Sequence, residues 1–177
     1  MMTAACVSTN YILVGVVNVK FMDLIVFVSG LAFGSLVGLS VGSLTWLVYG
    51  TLNPYGFSLP ILFATCIGES IFGIVGGLLN KMNYTEDFQV KRSSILFNSV
   101  KLAIIGFLLT FIYDMFTNAI FAISAGMPLF LVLAGGIPFA LVHETSNAVF
   151  FFVGAMPLLN IKKLLPHETP IKASVKS

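Results

Sequence analysis

Charged residues are scarce in this chain. They make up 9% of its 177 residues, while 58% are hydrophobic and the mean hydropathy is +1.01. Soluble domains carry about 25% charged residues, so there are too few here to cover a water-soluble core. The chain also lacks the period-two alternation of barrel strands. Because only helices and closed barrels satisfy their backbone in lipid, the continuous apolar runs predict an all-α membrane protein.

Cysteine and histidine are almost absent, with two of each. Two separated cysteines and two histidines give neither a disulfide framework nor a zinc-ligand cluster. His143-Glu144 lacks the second histidine of an H-E-x-x-H helix, and the chain has no G-x-S-x-G elbow and no Walker loop. We therefore expect no enzyme activity, no metal and no cofactor, with any ATP used by another chain. A net charge of +2 provides no basic face for nucleic acid.

Turn-forming and charged residues divide the apolar sequence into separate segments. They are residues 3–17, 24–50, 57–79, 95 to about 124 and 128 to about 161. The first would rise only about 22 Å as a helix, short of the roughly 30 Å hydrocarbon core. The second forms either one long helix or two short helices that meet between Gly34 and Gly42. Two helices give a bundle of six transmembrane helices, which we favour, and one gives five.

The distribution of lysine and arginine predicts the orientation. Seven of the nine basic residues lie in the 80–94 loop or in the polar tail. Under the positive-inside rule both regions are cytoplasmic, and with six spans both termini are cytoplasmic too. We expect one transmembrane domain over residues 1–161 in the cell membrane, followed by a polar cytoplasmic tail over residues 162–177. The sequence before the first apolar segment has no basic region, so we do not expect a removable signal peptide.

Small residues recur at helical spacing in two of the predicted spans. They are Gly30, Gly34, Gly38 and Gly42 in one segment and Gly73, Gly76 and Gly77 in another. In lipid, such residues let helix backbones approach closely, so tight crossings are the favoured interpretation. Room for a ligand or a sliding partner is the alternative. Trp46 and Tyr49 fit an interfacial aromatic belt, or the wall of a site.

Five ionisable residues lie within predicted spans, and each needs a partner or a role because an intramembrane charge is costly. They are Glu69, Lys101, Asp114, His143 and Glu144. Lys101 is close enough to the cytoplasmic end to extend its ammonium to the interface. Measured as helix from the outer turns, Glu69 and Asp114 lie about 16 Å deep and His143 about 22 Å deep. Three different spans therefore bring titratable groups to neighbouring depths.

Polar and small residues next to these groups form two stripes. Thr110, Asp114 and Asn118 share one helical face, and Gly136, Ala140, His143, Asn147 and Gly154 share another. These groups either only hold the helices in register or form a ligand or ion site. A ligand or ion site is favoured, because these spans contain three acids and one histidine. That is more charge than hydrogen bonding among the groups themselves requires. Such a site suits a ligand with donors or positive charge, although protonated carboxylates would also accept a neutral one.

Four stretches in this order resemble the substrate-binding S components of energy-coupling factor (ECF) transporters. They are residues 33–42 (FGSLVGLSVG), 73–77 (GIVGG), 113–118 (YDMFTN) and 143–150 (HETSNAVF). The resemblance implies six membrane helices that capture a vitamin, a vitamin precursor or a related micronutrient. It also implies association with a transmembrane coupling subunit and two cytoplasmic ATPases.

The resemblance further implies an outward-facing pocket lined by early loops and later helices. The nominated substrate-binding residues are Asn18, Lys20, Asn53, Tyr55, Glu69, Asp114, Asn118, His143 and Asn147. In the family the first helix docks on the coupling subunit through an alanine-x-x-x-alanine face. Here Ala4 with Ser8, or Ala5 with Thr9, has that spacing.

Two other functions remain open from the sequence. One is a self-sufficient ion- or proton-coupled carrier in which Glu69 and Asp114 titrate, although no inverted repeat is visible. The other is a non-catalytic membrane subunit whose buried polar groups are structural.

Overall fold

The computed structural model describes residues 1–52, 54, 56–82 and 92–164, with only the backbone described at 92–95, 155, 156 and 158–164. These parts of the chain contain six helices and no strand. The helices are α1 (Met2–Ile12), α2 (Met22–Phe33), α3 (Ser35–Leu52), α4 (Leu59–Lys81), α5 (Arg92–Ala125) and α6 (Leu129–Leu164). The all-α prediction is thus confirmed for the described residues, with a short first helix and two long last ones.

The predicted segment 24–50 is two helices separated at Gly34. This residue adopts φ 95° and ψ 163°, a backbone conformation that strongly favours glycine, and its amide closes α2 by donating to the carbonyl of Gly30. Four helices, α3 to α6, are long and apolar enough to cross a membrane. Helix α2 has twelve residues and rises about 18 Å, so length alone does not make it a span.

Helix α2 lies at the centre of the bundle. All of its residues except Phe33 are buried, and it contacts α1, α3, α4 and α6. A helix that is apolar on every side requires neighbours on every side, which explains this position. The first turn of α2 therefore lies inside the protein, although it follows directly on a loop.

Glycines form the interface that α2 and α3 make with α4. A Cβ on Gly38 or Gly73 would overlap the backbone of the other helix, and one on Gly76 would overlap the carbonyl of Phe27. The tight-crossing interpretation therefore holds for the glycines of the two predicted groups other than Gly34, and no space for a ligand remains at these positions. A Cβ on Gly34 would meet nothing within 4 Å, and this residue separates α2 from α3 instead.

Helices α5 and α6 pack against each other and enclose the opposite side of α2. The ring of Phe151 in α6 lies over Gly106 of α5 and contacts Phe27 of α2 with ring centroids 5.0 Å apart. Pro138 and Pro157 lie inside α6. This helix continues to Leu164, three residues past the predicted end of the membrane domain, and residues 165–177 lie outside the described part.

Helix α1 packs on the bundle through one side. Cys6 and Asn10 are buried against α2, and the Asn10 amide lies 2.9 Å from the sulfur of Met22. Ala4 and Ser8 are exposed. The helix ends at Ile12, five residues before the predicted end at 17, and turns lead to Asn18, a non-glycine residue with positive φ (58°).

Candidate functional site

A cavity of about 730 Å³ opens at the end of the bundle where α3 and α5 end and α4 and α6 begin. We call this the α3–α4 end. Its wall combines the loop after α1, the last turns of α3, the first turns of α4, and facing parts of α5 and α6. The positive-inside rule predicts that this end faces outward. The fold thus places a ligand-sized hollow where loops and helix ends from five elements converge.

The nine sequence-nominated site residues fall into three groups. Asn18, Lys20, Asp114 and Asn118 line the cavity. Glu69, His143 and Asn147 do not line it and are fully buried. Asn53 and Tyr55 lie outside the described residues. The structure therefore divides the nominated set into a wall and a buried polar cluster.

Aromatic rings form part of the cavity wall. Trp46 and Tyr113 stack with centroids 6.5 Å apart and an interplanar angle of 25°, and Tyr49 meets Trp46 edge-on. The Lys20 ammonium lies 4.8 Å from the Trp46 ring centroid and 5.3 Å from that of Tyr113. Cation–π attraction of this kind is worth about 0.5–2 kcal/mol. Trp46 and Tyr49, read from the sequence as a belt or a site wall, serve as wall residues here.

His143 bridges two helices beneath the cavity. Its Nδ1 lies 2.9 Å from Asp114 Oδ1 on α5, and its Nε2 lies 2.8 Å from Asp23 Oδ2 on α2. Ionised carboxylates only accept hydrogen bonds, so both ring nitrogens donate when both acids are ionised. The ring is then an imidazolium between two carboxylates. This charge-assisted bridge fixes the relative positions of α2, α5 and α6.

Asn147 extends the cluster one turn further along α6. Its Nδ2 donates to Asp23 Oδ2 and also to Thr110 Oγ1, the latter at 2.7 Å. Thr110 in turn donates to the carbonyl of Gly106 on its own helix. The two polar stripes predicted on these helices therefore face each other, with the first turn of α2 between them.

Glu69 connects the cluster to the aromatic wall. Its Oε2 accepts a hydrogen bond from Trp46 Nε1 at 3.2 Å, while its side chain is fully buried. Asp23 Oδ1, Glu69 Oε1 and Asn147 Oδ1 have no hydrogen-bond donor among the described residues. Three buried acceptor atoms thus keep unused capacity, which a proton or a donor can satisfy.

Asp23 is the functional candidate that the sequence-based reasoning missed. It lies in the interval between the first two apolar segments, 3–17 and 24–50, yet it is only 1% exposed and bonds both His143 and Asn147. A signal was present: Asp23 directly precedes the apolar segment 24–50, and no charged residue follows until Glu69. An acid in the first turn of a wholly apolar helix is buried together with that helix.

Glu144 lies on a different side of α6. It lines a separate groove of about 490 Å³ between α5 and α6, whose other lining residues are mainly apolar. Asp114, Asn118, Gly136 and Ala140 border both this groove and the cavity. Glu144 therefore does not belong to the cluster, although its neighbour His143 does.

The described residues contain no group of three or more His, Cys, Asp or Glu side chains arranged to hold a metal ion. What the arrangement provides is a wall with a cation, aromatic faces and amides above a buried ionic cluster. No protein-family model, curated protein or solved structure matches this chain. The function of the protein is therefore inferred from the geometry of its site.

Proposed function

We propose that this chain is the membrane-embedded substrate-capture subunit of an ECF-type ABC importer for a vitamin, a vitamin precursor or a related micronutrient. The observation that carries the proposal is the cavity of about 730 Å³ at the α3–α4 end, with its few polar groups and aromatic wall. Small-molecule sites are typically concave, largely apolar and furnished with a few oriented polar groups. In this proposal all six helices lie in the cell membrane and both termini are cytoplasmic.

The buried cluster supports capture because it makes the cavity wall rigid. His143 holds Asp114 in place from α6, and Glu69 holds the indole of Trp46 from α4. A preorganised wall loses little conformational freedom when the ligand binds, which favours affinity. Glu69, His143 and Asn147 then act as positioning residues, while Asn18, Lys20, Asp114 and Asn118 touch the ligand.

Release toward the cytoplasm needs partners in this proposal. Ligand binding shifts the protein toward the state that binds it best, so binding alone does not drive delivery to the other side. A coupling subunit and two ATPases would supply that work. The exposed Ala4 and Ser8 on α1 give a small-residue face on which a partner helix can approach closely.

The test is to purify the chain alone and to measure uptake with and without ATPase partners. Mass spectrometry of the detergent-solubilised chain should detect a co-purifying small molecule, and cells should accumulate it only when a coupling subunit and ATPases are co-expressed. A chain that retains no small molecule and whose co-expression changes no uptake would remove the proposal.

An ion- or proton-coupled carrier is the second candidate, favoured by the buried acids. Asp23 and Glu69 each have a carboxylate oxygen without a donor among the described residues, so each can accept a proton. Uptake by the chain alone in proteoliposomes, driven by a pH gradient, would support this candidate over the first. A purely structural subunit would show neither retained ligand nor uptake.

A further inference from the structure

We infer that the cavity selects a planar ligand that carries an anionic group, with Lys20 as the counter-ion of that group. This inference rests on the proposed function of small-molecule capture and specifies the chemistry of what is captured. It reverses the charge preference predicted from the acids of the apolar spans, because Asp114 is bonded to His143 and Glu69 does not line the cavity.

Among the described residues that line the cavity, Lys20 is the one cation. Its ammonium faces the Trp46 and Tyr113 rings, and no described carboxylate oxygen lies within 4.0 Å of it. An ammonium has three donors, and ring faces provide weaker acceptors than a carboxylate or phosphate. An anionic ligand group can therefore take the ammonium of Lys20 in exchange for these weaker ring contacts, which leaves the ring faces to the planar part of the ligand.

The acid that lines the cavity, Asp114, is already bonded to the buried cluster. Both carboxylate oxygens of Asp114 lie within 3.2 Å of His143 Nδ1. Asp23 and Glu69 do not line the cavity. A cationic ligand would thus meet the ammonium of Lys20 before any unengaged carboxylate, and the two like charges repel each other.

The aromatic pair explains the preference for a planar shape. Trp46 and Tyr113 present nearly parallel rings on one wall, and both line the cavity. Flat rings gain from offset stacking on such faces beyond the area they bury. Trp46 is held in this orientation by its bond to Glu69, so the stacking surface exists before the ligand arrives.

The test is a matched series of probes titrated by calorimetry into the full chain in nanodiscs. Naphthalene carboxylate, naphthalene carboxamide and naphthylmethylammonium share a planar ring system and differ in charge, and decalin carboxylate keeps the charge but is not planar. We expect the naphthalene carboxylate to bind about tenfold or more tightly than each of the others. Tightest binding of the ammonium, the carboxamide or the decalin acid overturns the inference.

Variants at Lys20 link this preference to one side chain. Lys20→Gln should remove the tenfold advantage of the carboxylate over the carboxamide, and Lys20→Arg should keep it. Lys101→Gln is the matched control, since Lys101 lies on α5 away from the cavity with its ammonium 4.2 Å from the Phe97 ring centroid. An unchanged advantage in Lys20→Gln overturns the role of Lys20.

The two proposals fail in different ways. If the small molecule extracted from the purified chain is cationic, neutral or non-planar, the inference is wrong while substrate capture stands. If none of the four probes binds, the inference is also wrong, and capture is judged by the extracted molecule and the ATPase-dependent uptake. If no molecule is extracted and partners change no uptake, capture itself fails.

Discussion

Two interfaces hold this bundle together, and they work by opposite means. Where α2 and α3 meet α4, glycines bring backbones into direct contact and leave no room for side chains. Where α2 meets α5 and α6, ionic and amide groups bridge the helices through Asp23, His143 and Asn147. The cavity opens above the second interface.

The difference shows where this fold permits function. The glycine interface gains stability from close packing, which depends only on local small residues. The polar interface keeps buried charges that are stable only while all partners are in place. One interface is therefore stabilised by packing alone, whereas the other depends on a complete set of polar partners and lies next to the cavity.

Removing the histidine should have the largest effect. His143→Leu leaves Asp23 and Asp114 without their shared donor in a buried site, so we expect the free energy of unfolding to fall by about 3–5 kcal/mol. Denaturant unfolding in mixed micelles measures this loss. The control is His167→Leu at the other histidine of the sequence; equal losses in the two variants would contradict the bridging role.

Breaking the glycine interface should come next. Gly73→Val places a branched side chain against the backbone of Gly38, and we expect a loss of about 3 kcal/mol, at the upper end for overpacking. The same unfolding measurement applies. Gly135→Val is the matched control, since a Cβ there meets nothing within 4 Å. A stable Gly73→Val variant would show that the helices are not in backbone contact.

Substitutions that keep shape but remove charge should affect binding more than folding. Asn and Gln keep an acceptor oxygen but weaken the bonds to His143 and Trp46 that hold the cavity wall in place. We therefore expect Asp114→Asn and Glu69→Gln to weaken ligand affinity about tenfold and to leave membrane insertion intact. Asp114 lines the cavity, and Glu69 orients Trp46. Calorimetry with the extracted ligand measures the affinity, with Glu144→Gln as the control. Wild-type affinity in both variants would remove these acids from the site.

The smallest effect should come from Glu144 itself. Its carboxylate lines a mainly apolar groove between α5 and α6. Glu144→Gln removes a buried charge from this groove, so we expect the free energy of unfolding to rise by about 1 kcal/mol or less. A clear loss of stability would mean that Glu144 has a partner in the folded protein.

The sequence predicted the features that depend on local pattern. Long apolar segments with few charged residues predicted a helical membrane bundle, and the spacing of glycines predicted close helix crossings. Both patterns can be recognised within a single helix, without knowledge of its neighbours. Spacing along each helix also predicted the two polar stripes, and in the structure Asn147 on one stripe bonds Thr110 on the other.

Features that depend on tertiary enclosure were not predictable in the same way. Asp23 looked like a loop residue because the burial of α2 comes from four other helices. Lys20 was nominated by resemblance, but its place over Trp46 and Tyr113 depends on how the first loop folds back onto the bundle. The division of the acids into a buried cluster and a cavity wall required distances that spacing along a helix does not provide.

The enclosed position of α2 has a consequence for how the protein is made. Helix α2 has only twelve residues and an acid in its first turn, so it inserts poorly into a membrane as an independent segment. His143 and Asn147, which bond that acid, are synthesised more than a hundred residues later. The bonds that hold Asp23 in the core can therefore form only after the last helix has been synthesised.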